Sequence, residues 1–113
     1  MDYKTRKIDD IIAYDLQWDF KVMEEMPTEL HGDVKSKLRS GKKQFLFNLA
    51  GVKYMDSYGL GELVASFISI SNQGGELRLI NLLPRIKLMF EMTGLDKIFE
   101  IFDDEKTAVK SFH

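Results

Sequence analysis

Phe45-Leu46-Phe47 runs directly into Asn48-Leu49-Ala50-Gly51-Val52-Lys53-Tyr54-Met55-Asp56-Ser57-Tyr58-Gly59-Leu60-Gly61, and the reading of this stretch decides the fold. A continuous apolar run suits a strand covered on both faces, as in a parallel sheet flanked by helices. Asp56-Ser57 then stands where a helix N-cap belongs, just ahead of an apolar stripe formed by Leu60, Leu63, Val64, Phe67 and Ile68. That helix runs to about Gln73, where Gly74-Gly75 stops it.

Upstream, Met1 to Ile8 reads as a first strand and Asp9-Asp10 as a polar turn. Ile12, Tyr14, Leu16 and Trp18 alternate with Ala13, Asp15 and Gln17, the period of two that marks a second strand. Pro27-Thr28 punctuates the chain, with Thr28 placed to cap a helix whose inward positions are Leu30, Val34 and Leu38 and which ends at Gly41. Downstream, Glu76 to Leu82 reads as a strand, and Pro84 suits the first turn of a helix with Ile86, Met89 and Phe90 inward and Gly94 at its end. Leu88 falls off that inward face. Ile98 to Phe102 is a short last strand, and Asp103 or Asp104 caps a final helix to Phe112. The predicted order is β-β-α-β-α-β-α-β-α: one α/β domain over residues 1–113, a mixed sheet with helices packed on it. Phe45, Phe47, Leu63, Val64, Phe67, Leu77, Leu79 and Phe90 are its expected core.

Composition narrows the function classes. The 113 residues suit one domain, and 16 Lys plus Arg against 18 Asp plus Glu give a net charge of −2. That balance lacks the basic footprint of a nucleic-acid binder. No apolar run approaches the ~20 residues of a membrane-spanning helix. The first ten residues are too charged for a secretion signal, so a cytoplasmic protein is expected. With no Cys there is no thiolate nucleophile or thiolate metal site. His31 is expected on a solvated helix face and His113 is terminal, so neither has metal-ligand company. Gly-x-Ser-x-Gly is absent, and neither histidine is placed as a base for Ser57. Gly59-Leu60-Gly61 lacks the rest of a dinucleotide fingerprint. Neither catalysis nor a cofactor is expected.

A hydroxyl at a helix start faces unpaired backbone N–H groups and the positive end of the helix dipole, both favourable to a phosphate. Asp56 and Ser57 also fit the plain role of caps. Gly59 and Gly61 have two readings as well: they thin the surface for another protein's approach to Ser57, or they permit tight helix–strand packing.

The segment from Asn48 to Gly61 resembles the signature of STAS domains in bacterial anti-sigma-factor antagonists: an apolar strand, a short loop, then Met-Asp-Ser-small-Gly-Leu-Gly. A second stretch, Pro84-Arg85-Ile86-Lys87-Leu88-Met89-Phe90-Glu91-Met92-Thr93-Gly94-Leu95-Asp96-Lys97-Ile98-Phe99, is similar to the family's Pro-x-apolar-x-x-x-Phe-x-x-Ser/Thr-Gly-Leu-x-x-apolar segment. Trp18-Asp19-Phe20 resembles the Leu-Asp-x that ends the family's second strand. The resemblance covers the chain from about Ile11 onward.

It implies partner switching. Unphosphorylated, such a domain binds a kinase-type anti-sigma factor and frees the sigma factor. The kinase phosphorylates the serine after the aspartate, the complex falls apart, and a metal-dependent Ser/Thr phosphatase resets the switch. That serine matches Ser57, and Asp56 and Asp19 match acidic positions beside a contact surface that includes Tyr58, Gly59, Leu60 and Gly61. A monomer is expected when free, with no nucleic-acid or membrane partner. Two departures stand out. Tyr58 occupies a position usually held by a small residue, where it selects a kinase or hinders phosphorylation. Phe20 to Met26 lacks the small polar residues common after the family's Leu-Asp. Tyr58 keeps an alternative open: an unphosphorylated STAS scaffold or assembly subunit of a sensory or lipid-transport complex.

Overall fold

The computed structural model describes residues 2–18 and 30–113. The predicted Thr28 cap, Asp19 and the Phe20–Met26 segment lie outside the described residues. A five-stranded sheet has the order β1-β2-β3-β4-β5, formed by Asp2–Ile8, Ile11–Trp18, Gln44–Val52, Glu76–Ile80 and Glu100–Phe102. The first pair is antiparallel and the other three are parallel, so the sheet is mixed as expected. Helices α1 (Leu30–Arg39), α2 (Ser57–Asn72) and α3 (Pro84–Thr93) make the three crossovers, and α4 (Glu105–Lys110) follows β5. Each parallel strand is added on the same side of its predecessor. Right-handed crossovers therefore put α1, α2 and α3 on one face of the sheet.

Side-chain alternation then sorts the residues. Ile12, Tyr14, Leu16 and Trp18 of β2 point toward those helices and join Phe45, Phe47, Leu49, Leu77 and Leu79 in the main core. Leu30 and Val34 of α1, Leu63 and Ile70 of α2, and Ile86 and Phe90 of α3 close it from above. The opposite face is smaller: Ile11, Ala13, Leu46 and Ile80 meet Ala108 of α4. Tyr14 links the layers by donating a 2.6 Å hydrogen bond to Asp33 on α1. Burial, and then that carboxylate, hold the Tyr14 phenol above the ordinary tyrosine range.

Several expectations need correction. Ile68 is half exposed and Ile70 takes its place inside; Val64 and Phe67 are only partly buried. α2 rotates its stripe toward Leu63, Ser66 and Ile70, because α1 and the sheet cover one side of it and solvent the other. His31 is not on a solvated face: its Nε2 shares a 2.8 Å hydrogen bond with Ser69 Oγ, tying α1 to α2. β4 ends at Ile80 rather than Leu82, where Asn81 turns the chain with φ 60°. Leu95–Lys97 forms one 3₁₀ turn, and β5 is only three residues long. Gly41 and Gly94, with φ of 96° and 78°, stop α1 and α3 in the left-handed conformation that glycine adopts at little steric cost. Leu88 lies outside, as its position in the periodicity implies.

Candidate functional site

Parallel strands deliver their C-terminal ends, and the loops that follow, to one rim of the sheet. Val52 ends β3 there, Lys53 to Asp56 form the loop, and α2 begins at Ser57. The loop is anchored at both ends. The Lys53 N–H donates to the Trp18 carbonyl at 2.8 Å, and Met55 is buried in the core.

The cap of α2 is Asp56, which sits in extended conformation (φ −103°, ψ −176°) and accepts from the Gly59 N–H through Oδ1 at 3.0 Å. Ser57 is therefore the first helical residue and not the cap, one position on from where the sequence allowed it. An N-cap must leave helical φ/ψ for its oxygen to reach back to the third N–H, and Asp56 alone does so here. The consequence is chemical: Asp56 engages the backbone, and the exposed Ser57 hydroxyl has no capping duty. The Leu60 N–H reaches the Asp56 carbonyl at 3.0 Å. Helix geometry leaves the Ser57 and Tyr58 N–H groups without intrahelical partners, beside the positive end of a 16-residue helix. An anion on Ser57 would be stabilised there, although the Asp56 carboxylate opposes it.

The rest of the turn divides in two. Tyr58, the residue that follows Ser57, is 50% exposed. Gly61 lies at the surface, and a Cβ there would meet nothing within 4 Å. Leu60 is partly buried against the core. Gly59 is buried, and a Cβ on it would fall 1.4 Å from Cζ3 of Trp18. The packing explanation thus applies at Gly59, and the open-surface explanation fits Gly61. Asp19, directly after Trp18, lies outside the described residues.

Sequence reasoning missed Trp18 as part of this site. Its place at the end of β2 was legible, but its contact with Gly59 spans 41 positions of sequence and depends on the β2–β3 register. A polar cluster on the opposite face was missed too. Arg6 donates to both carboxylate oxygens of Asp15 at 2.7 and 3.0 Å, Asn48 adds a 2.8 Å bond, and Asn81 donates to Asn48 at 3.0 Å. The Arg6 bonds, with help from Asn48, hold the Asp15 carboxyl below the usual range against the opposing effect of burial.

A groove of about 270 Å³ lies by the C-terminal end of α2, lined by Lys35, Leu38, Arg39, Ser69, Asn72 and Gln73. Among the described residues no three His, Asp or Glu side chains gather as a metal site, and no helix is long and apolar enough to cross a membrane.

The STAS domain family model matches residues 3–108. The anti-sigma-B factor antagonist of Bacillus subtilis is 47% identical over 53 residues, which are 47% of this chain and 49% of that protein. The match to that relative therefore spans about half its length. The anti-sigma-B factor antagonist of Staphylococcus aureus is 32% identical over 88 residues, 78% of this chain and 73% of that protein. In fold, the chain is similar to the Bacillus cell fate determinant SpoIIAA, solved in its phosphorylated form, with TM-score 0.72, 18% identity and coverage of 96% of this chain and 97% of that one. A family match over nearly the whole sequence, with a 32% identical relative matched over 73% of its length, means that the chain belongs to the STAS domain family of anti-sigma factor antagonists.

Proposed function

We propose that this chain is an anti-sigma factor antagonist that works by partner switching, with Ser57 as its phosphoacceptor. The observation that carries the reading is the exposed Ser57 hydroxyl on the first turn of α2, relieved of capping by Asp56. The names of the relatives and the phosphorylated form of SpoIIAA support it. Unphosphorylated, the rim of Asp56, Tyr58, Leu60 and Gly61, together with Asp19, binds an anti-sigma factor kinase in the cytoplasm. Phosphate on Ser57 releases that partner, and a Ser/Thr phosphatase restores the first state.

The energetics favour a switch at the interface over a change of fold. Phosphate adds about −1.5 to −2 charge. In the free protein the two open N–H groups and water accommodate it. In a complex it must be stripped of water beside Asp56, and an unpaired buried charge costs several kcal/mol, with ~1.4 kcal/mol equal to tenfold in affinity. Ser57→Asp is therefore expected to weaken partner binding by about tenfold or more, while an added carboxylate in the first helical turn leaves stability nearly unchanged.

The test begins with a pull-down from the native host and mass spectrometry of both partners and phosphosites. The recovered kinase and ATP should add one phosphate, lost in Ser57→Ala. Labelling at Ser69, Ser71 or Thr93 would overturn the assignment. Equal affinities of wild type and Ser57→Asp for the kinase would favour the scaffold reading, which the half-exposed Tyr58 ring beside Ser57 supports.

A further inference from the structure

Trp18 is the only tryptophan in the chain and is 4% exposed at the end of β2. Its six-membered ring lies directly beneath the first turn of α2. A Cβ added at Gly59 would sit 1.4, 2.3 and 2.5 Å from ring atoms Cζ3, Cη2 and Cε3. No side chain fits at residue 59 while the ring stays where it is. Tyr54, in the loop before the helix, meets the ring edge-on with centroids 6.4 Å apart. The Trp18 carbonyl holds the start of the same loop through the Lys53 N–H. Indole Nε1 has no hydrogen-bond partner among the described residues, so packing holds the ring.

We infer that Trp18 is the positioning residue of the acceptor turn: its indole is the seat on which Gly59 rests, and it sets where Ser57 stands relative to the rim. The helix cannot move toward the sheet without striking the ring, and without the ring the turn loses its floor. Asp56 clamps the turn internally through the Gly59 N–H, and Trp18 supports that same residue from below. The functional half of this inference rests on the reading of Ser57 as phosphoacceptor; the mechanical half does not.

The mechanical half is tested without a kinase. Residues in contact show coupled effects, and a space-swapping pair isolates that coupling. Gly59→Ala is expected to lower the melting midpoint by at least about 5 °C and to shift the Trp18 emission to the red as the ring is displaced. Trp18→Leu is expected to cut hydrogen-exchange protection of the Gly59 and Leu60 amides about tenfold more than that of Phe47 and Leu79 in the core. The double variant should recover much of the midpoint lost in Gly59→Ala, since leucine vacates the space the new methyl needs. Strict additivity, or unchanged protection at Gly59 and Leu60 in Trp18→Leu, overturns the inference. If the double variant does not fold, Trp18→Phe decides: phenylalanine lacks the outer Cζ3–Cη2 edge that lies against Gly59, and the same two amides must lose protection.

The functional half uses the kinase recovered from the host, with ATP. Misplacing a reacting group by about 1 Å costs on the order of a hundredfold. Gly59→Ala should lower kcat/KM for phosphorylation by at least about tenfold, and the double variant should restore it to within about threefold. A double variant as slow as Gly59→Ala, with its turn amides again protected, overturns this half. Phosphate appearing elsewhere than Ser57 overturns the acceptor reading instead, and the exchange data keep the two failures apart.

Discussion

Toward α1, α2 and α3 the sheet presents Ile12, Tyr14, Leu16, Phe45, Phe47, Leu77 and Leu79, all buried, whereas toward α4 Ile11, Ala13, Leu46 and Ile80 give way to the polar Asp15 and Asn48. Three crossover helices exclude water from the first face, so it must be apolar along its length. Among the described residues, the second face has only the six residues of α4 and the chain end to cover it. It keeps its polar groups in pairs: Arg6 with Asp15 and Glu105, and Arg78 with Glu76 and Ser111, its guanidinium 4.9 Å from the centre of the Phe112 ring. Ser57 belongs to neither interior. It stands exposed on the rim of the first face, at the start of α2.

The largest expected effect tests the stabilising share of the two faces. Phe47→Ala should cost about 3–5 kcal/mol in chemical denaturation, and Leu46→Ala, under the short α4, about 2–3 kcal/mol. Equal losses would break the contrast. The next test separates the rim from the core. Asp56→Ala should cost about 1 kcal/mol as the true cap, while Ser57→Ala, at the first helical position, should stay within about 0.5 kcal/mol. The reverse order would return the capping role to Ser57.

The smallest effect concerns the polar pairs of the second face. The native Asp15 carboxyl is held below its unfolded value, chiefly by Arg6. Its contribution is therefore complete above about pH 4 and is lost as pH falls through the lower native value. Both partners are about one-third exposed, so solvent screening limits that contribution to under about 1 kcal/mol. Stability of Asp15→Asn measured from pH 5 to 2 should fall less steeply than that of wild type. Parallel curves would show that Asp15 contributes no acid dependence.

What was legible in the sequence follows from the range of each signal. Element order and the β2 alternation come from local periodicity, and the structure retains both. The helix-stop glycines are local too, and Gly41 and Gly94 adopt the conformation expected of them. Ile68 misled because a hydrophobic stripe states how wide a face is, not which part of it meets the sheet. His31 was read as exposed because its partner Ser69 is 38 positions away, on a different helix. At the site, Asp56-Ser57 was recognisable as a helix start, but only backbone dihedrals assign the cap to the first of the pair. Gly59 carries two readings in the sequence, and nothing local names Trp18 as the side chain that decides between them; their contact exists only once β2 and β3 are paired.

The strand order 1-2-3-4-5 also bears on how the chain reaches this structure. Every strand pairs with its neighbour in sequence, so no strand has to be threaded between two that have already met. Each crossover joins strands that are consecutive in sequence, so its closure costs less entropy than pairing more distant strands would. Assembly outward from the central β2–β3 pair is the expected route. Pulse-labelled exchange during refolding should then protect Ala13 and Phe47 before Ile101, whose strand is the shortest and last of the five. The edges, added last, are also the parts whose loss leaves the centre most nearly whole.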